Sequence, residues 1–115
     1  MRIIAGVAKG RNLSTVAGAT RPTSDRAREA LFSTLLSEFG EFENLKFLDL
    51  FAGSAAVGLE ALSRGAEIVH AVEKDDSAVK TIRANQEIVE KSKPIGKFHL
   101  YSMSAQKFLG NIGNQ

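Results

Sequence analysis

At 115 residues, 43% hydrophobic and 24% charged, the chain has the makings of one globular domain burying about two-thirds of its unfolded surface, which excludes wholesale disorder. It has no cysteine, which excludes disulfides and thiolate chemistry; it has no apolar run near the roughly 18 residues of a membrane span and no signal-peptide pattern, so a cytoplasmic location is expected. The net charge of +2 is uneven: residues 1–28 hold six basic side chains (Arg2, Lys9, Arg11, Arg21, Arg26, Arg28) against Asp25, a balance of +5 that leaves −3 for the other 87 residues. A basic segment on a mildly acidic body is the footprint of a phosphate-backbone partner, although a solvated charged face has the same composition.

Residues 2–5 and 11–16 flank Gly6 and Lys9-Gly10, the pattern of a short hairpin or extended arm. A loop follows at residues 18–23. Pro22 biases Arg21 away from the helical region, and Thr23, Ser24 or Asp25 can cap the next element. Ala27, Leu31, Leu35 and Phe32, Leu36, Phe39 recur at helical spacing and predict a helix from Asp25 to about Phe39, with Arg26, Arg28 and Glu29 around the rest of the wheel and Gly40 ending it. Phe32, Phe39 and Phe42 are expected in the core. Residues 45–51 read as a strand apolar on both faces except near its C-terminal end, the kind found in parallel sheets covered by helices.

A glycine-bearing turn leads into a helix through residues 59–64 that Gly65 stops; residues 68–73 form a second strand. Asp75 or Asp76 caps a helix running to about Lys91, with Val79, Ile82 and Val89 inward. Pro94 and Gly96 break the chain before a third strand from Lys97 to about Tyr101, and a further helix starts at Ser104. His70 and His99 have no Asp, Cys or further His at ligand spacing, so no metal is expected. The β-α-β-α-β alternation predicts an α/β fold: right-handed crossovers, a parallel sheet, and a ligand outside the strands' C-terminal ends. The expected division is a basic arm and loop over residues 1–22 and a sheet domain over residues 23–115.

At those strand ends Asp49 precedes the turn, Gly53 opens it, and the following helix offers free backbone N–H groups. Glu73 ends the second strand 20 residues after Gly53, the offset at which an acid reaches the ribose hydroxyls of a bound nucleoside. A carboxylate suits that task because it accepts from two vicinal hydroxyls at once. A dinucleotide turn would read Gly-x-Gly-x-x-Gly, whereas here Ala55 places a methyl where backbone must approach a pyrophosphate. Asp49 would also repel a pyrophosphate but suits the ammonium of a methionine moiety. Both observations favour S-adenosylmethionine (SAM) over NAD.

Four segments carry a more specific resemblance: Thr20-Arg21-Pro22-Thr23, Asp25-Arg26-x-Arg28-Glu29-Ala30-Leu31-Phe32, Asp49-Leu50-Phe51-Ala52-Gly53-Ser54, and the run from Gly58 to Ala66. In this order they resemble the RsmD family, enzymes that methylate the exocyclic N2 of a guanine in small-subunit (16S) ribosomal RNA, and the likeness extends over essentially the whole chain. The resemblance implies a Rossmann-like class I SAM-dependent methyltransferase fold, here three parallel strands with helices. It implies SAM as cofactor and ribosomal RNA, in a small-subunit assembly intermediate, as partner. It assigns Arg21 and Thr23 to a loop near the cofactor, Asp49, Ala52, Gly53, Ser54 and Glu73 to the cofactor seat, and Lys9, Arg11, Arg26 and Arg28 to the RNA face. Lys74 and Ser104 join the cofactor residues at the adenine edge.

Two departures from the family pattern stand out. Gly-Asp-Ala usually follows the third strand, its Asp accepting from the adenine amino group; here Met103-Ser104-Ala105 offers only a hydroxyl. The Asp/Asn-Pro-Pro-Tyr/Phe motif that holds and stacks the target base at the end of a fourth strand does not occur, since Pro22 and Pro94 are not adjacent. The expectation is a chain with the cofactor-binding half of a methyltransferase, its catalytic motif lying beyond Gln115, and no turnover from this chain alone.

Overall fold

The structure, a computed structural model, describes residues 1–16 and 24–113. Its first regular helix, α1 (Asp25–Phe39), starts where Ser24 takes extended backbone and its hydroxyl accepts from the Ala27 N–H at 3.0 Å. Gly40, with φ of 72°, ends it. The expected bounds are met, but the inward face differs. Phe32 is buried and Leu35 partly so, while Leu31, Leu36 and Phe39 are 41, 50 and 61% exposed. Phe39 is therefore not a core residue. Phe32 instead meets Phe42 and Phe47, with ring centroids 5.8 and 6.2 Å away.

Three parallel strands follow in the order β1-β2-β3: β1 (Lys46–Asp49), β2 (Ile68–Glu73) and β3 (Lys97–Ser102). Between and after them lie α2 (Ala56–Ser63), α3 (Asp76–Glu90) and α4 (Ala105–Gly113). Asp75 caps α3, accepting from the Ser77 N–H at 3.1 Å, and Gly65 takes the positive φ of 108° expected after α2. Val79, Ile82 and Val89 of α3 are buried as the periodicity predicts. The first strand is shorter than its apolar run: it ends at Asp49 rather than at residue 51, and its residues are half-buried or exposed. Among the described residues β1 has β2 as its sole neighbour, so it lies at an edge and lacks the cover that a run apolar on both faces predicts.

Residues 1–13 form a hairpin, with an antiparallel bridge between Arg2 and Asn12 and bonds from Ile3 N–H to the Arg11 carbonyl and from Leu13 N–H to the Met1 carbonyl. It is not a free arm. Ile3, Ala8 and Leu13 join the same buried cluster as Leu59, Leu62, Val69 and Ile82. The docking is polar as well. The buried carboxylate of Glu60 on α2 accepts from the Ile4 and Ala5 N–H groups at 2.8 and 3.1 Å and from Arg64 Nε at 2.8 Å. Ser63 accepts from the Ala8 N–H and donates to the Ala5 carbonyl. A buried charge is tolerable where several donors converge on it, as here.

Candidate functional site

The C-terminal ends of β1 and β2 bring Asp49, Ala52, Gly53, Ser54, Glu73 and Lys74 of the predicted cofactor residues together. After Asp49 the chain turns through Gly53 (φ 58°) and Ala55 (φ 63°) before α2 begins at Ala56. A non-glycine residue in the left-handed region costs about 1–2 kcal/mol and is held there only by surrounding packing. Ala55 is fully buried, and its N–H closes a tight turn onto the Ala52 carbonyl at 2.7 Å. The Phe51 N–H donates to Asp49 Oδ1 at 3.2 Å, shaping the exit from β1.

Glu73 organises the other side. One carboxylate oxygen accepts from the Gly53 N–H at 2.8 Å and the other from the Asp75 N–H at 3.0 Å. The 20-residue offset read from the sequence is thus a direct hydrogen bond between strand end and turn. A carboxylate has about four acceptor positions, so two remain for a pair of ligand hydroxyls. A cavity of ≈ 300 Å³ opens beside it, lined by Leu50, Phe51, Glu73, Lys74, Ser104 and Ala105. A second, of ≈ 440 Å³, runs along β1 past Asp49, Phe51, Ala52 and Ser54. Nothing lies within 4 Å of where a Cβ on Gly53 would point, which leaves that backbone open to a ligand.

Asp49 stands apart electrostatically. Burial raises its pKa above the ordinary aspartate value, and the negative charge of Glu73 pushes the same way, against the stabilising Phe51 N–H. A cation at this spot would favour the ionised carboxylate and so oppose both effects. Ser104 uses its hydroxyl to accept from the Lys107 N–H at 3.1 Å at the start of α4, which leaves it one acceptor lone pair and its own O–H. Lys74 is exposed at the rim. Arg21 and Thr23 lie outside the described residues.

The basic set divides. Lys9, Arg11 and Arg26 are exposed. Arg2 pairs with Asp25 at 3.7 Å, next to Arg26, and bridges Asn12, next to Arg11, so hairpin and α1 N-terminus share one neighbourhood. Arg28 does not belong to that surface. It is 0% exposed, its guanidinium donating to the Arg2 carbonyl and to Asp25 at 2.7 Å. A side chain so enclosed cannot reach a phosphate; it fastens the hairpin to α1. At Asp25, burial alone would raise the pKa, but the bonds from Arg28 and the Arg2 N–H and the Arg28 charge outweigh it and hold the carboxyl below its ordinary value.

Glu60, Ser63 and Asn85 escaped the sequence reading, although an acid inside the apolar run from Leu59 to Leu62, with Arg64 four residues on, was a legible sign of a buried pair. His70 and His99 stack at 5.3 Å, and His70 Nδ1 lies 3.0 Å from the Tyr101 hydroxyl. Among the described residues no group of three or more His, Cys, Asp or Glu could hold a metal, and no helix is long and apolar enough to cross a membrane.

The family described as "Conserved hypothetical protein 95" matches residues 1–115. The chain belongs to this family, the RsmD family. Among RsmD-like relatives, "Putative rRNA methyltransferase YlbH" of Bacillus subtilis is 44% identical over 81% of this chain and 50% of its own length. "Ribosomal RNA small subunit methyltransferase D" of Haemophilus influenzae is 35% identical over 100% of this chain and 58% of its own. The chain spans about half the length of the curated relatives it matches. The solved structure of a hypothetical protein from Thermus thermophilus superposes with a TM-score of 0.85 at 36% identity, covering 100% of this chain and 62% of that one. Methyltransferase structures share the architecture, and the three strands and four helices among the described residues are an incomplete Rossmann-like class I methyltransferase fold.

Proposed function

We propose that this chain carries the SAM-binding and RNA-facing part of a methyltransferase that acts on the exocyclic N2 of a guanine in small-subunit (16S) ribosomal RNA. The observation that carries the reading is Glu73, tied to Gly53 across the strand ends with acceptor positions to spare beside a cavity of nucleoside size. Glu73 takes the ribose hydroxyls, the open Gly53–Ser54 backbone faces the cofactor, and Asp49 takes the methionine ammonium. Lys74 and Ser104 border the adenine. Arg21 and Thr23 are assigned to the cofactor by family resemblance. When bound, SAM supplies a methyl group on a positively charged sulfur. Lys9, Arg11 and Arg26 meet RNA phosphates, and a cytoplasmic location goes with a ribosomal substrate. The names of the relatives support ribosomal RNA as the substrate; the guanine N2 rests on the family resemblance. The Asp/Asn-Pro-Pro-Tyr/Phe motif is not among the 115 residues, so methyl transfer is proposed for the whole protein and binding for this chain.

Titration calorimetry with SAM tests the seat. The wild-type chain binds, and Glu73→Ala weakens binding at least about tenfold, the scale of losing hydrogen bonds to a charged group. Undiminished affinity in a folded Glu73→Ala chain would sink the assignment. The alternative of a NAD-linked oxidoreductase has only the generic strand–turn–helix–acid pattern behind it and is disfavoured by Ala55; saturable binding in a NADH fluorescence titration would revive it. For the RNA face, affinity should fall with salt; a flat plot of log affinity against log salt excludes phosphate contacts.

A further inference from the structure

The buried side chain of Asn85 on α3 touches two segments distant in sequence. Its Oδ1 accepts from the Ser14 N–H at 2.8 Å, while its Nδ2 donates to the Ser14 carbonyl at 2.9 Å and to the Ser54 carbonyl at 3.0 Å. Ser14 follows the basic hairpin directly, and Ser54 lies in the turn between Gly53 and the strained Ala55. Both amide protons are therefore committed, one to each segment. Met1 adds a weaker link, its sulfur 3.9 Å from the Ser54 hydroxyl.

We propose that Asn85 is a positioning residue that couples the cofactor turn to the basic hairpin. This rests on the reading of that turn as the SAM seat. A ligand bonded to the Gly53–Ser54 peptide fixes the Cα of Ser54, from which the next peptide, whose carbonyl Asn85 holds, extends. The amide plane cannot follow a shift at Ser54 without changing its two bonds to Ser14, because its N–H groups are rigidly paired on one planar group. Occupancy of the turn thus selects how Ser14, at the exit of the hairpin, sits on α3. Reciprocity then requires that a ligand on the hairpin alter cofactor affinity by the same factor.

Amide hydrogen exchange with and without saturating SAM tests this. In the wild-type chain SAM slows exchange at Ser14 about fivefold or more beyond its effect on the core amides of Val69 and Ile82, which report global stabilisation. In Asn85→Ala the extra slowing disappears while calorimetry still records SAM binding. Asn85→Asp, which keeps the acceptor for the Ser14 N–H and loses both donors, provides the second variant should Asn85→Ala fail to fold. A purely structural role would lower Ser14 protection equally in both states and leave the ratio unchanged, which overturns the proposal. So does a wild-type chain that binds SAM without extra slowing at Ser14. A wild-type chain that binds no SAM instead removes the cofactor seat itself, and this inference with it.

Discussion

Asp49 is the residue at which stability and the ligand role proposed for it pull apart. Its carboxyl is held above the ordinary aspartate pKa by burial and by the charge of Glu73, so the folded chain keeps the proton more tightly than the unfolded chain. Folding therefore takes up a proton across that range. The native state is favoured at low pH and loses stability as pH rises from about 4 through the raised value. Asn removes the charge and keeps the shape. At neutral pH Asp49→Asn should raise Tm by a few degrees, roughly 5 °C at most for a domain of this size, and flatten the pH dependence of Tm. The same substitution should weaken SAM binding. A lower Tm with intact binding would show that Asp49 serves the fold and not the ligand. Arg28 teaches the opposite lesson: a basic residue in a basic stretch looked like an RNA contact, yet it is enclosed between the Arg2 carbonyl and Asp25.

The hairpin and α2 are joined at one point of close approach. A Cβ on Gly6 would sit 1.9 Å from the Ser63 carbonyl oxygen, whereas one on Gly10 would meet nothing within 4 Å, though both have positive φ. Gly10→Ala should cost about 1 kcal/mol, the strain of the left-handed conformation alone. Gly6→Ala must also lift the hairpin from α2, breaking the bonds to Glu60 and Ser63, and should cost about 3 kcal/mol or more with tryptic cleavage after Lys9 and Arg11. Equal denaturant midpoints for the two variants would contradict the docking. At this scale the sequence was most readable where the signals are local. The bounds of α1 and β2 and the Asp75 cap of α3 come from residues within a turn of one another. Illegible were the partners of Arg28, Glu60 and Asn85, whose bonds cross 26, 56 and 71 residues. The nearness of Gly53 and Glu73 was readable because a βαβ unit fixes the path between strand end and turn; the hydrogen bond between them was not.

Across the whole molecule, apolar surface gathers on one side of the sheet. β1 pairs with β2 alone among the described residues, Leu48 is 49% exposed and Phe51 80%, and Leu109 and Ile112 of α4 are half-exposed. Leu48, Tyr101, Met103, Phe108 and Ile112 also line an open cavity of ≈ 440 Å³. His70 lies in the same wall, its pKa lowered by burial, by the neighbouring His99 and by Lys46, so it is chiefly neutral near pH 7 and adds little charge to keep this surface apart. An apolar edge strand with unpaired backbone is a template for another chain, and the usual defence is a lysine pointing outward from that edge. This chain has Lys46 at the start of β1, exposed and 3.8 Å from Glu67, and no other lysine along that strand. The 115-residue chain should therefore associate with itself as concentration rises, seen in sedimentation as a mass above the monomer's. Leu48→Lys places a charge at the middle of the edge, on the face that carries His70 and His99, and should return the chain to monomer at the same concentration. A wild-type chain that stays monomeric at millimolar concentration would mean that this surface is less sticky than its exposure implies.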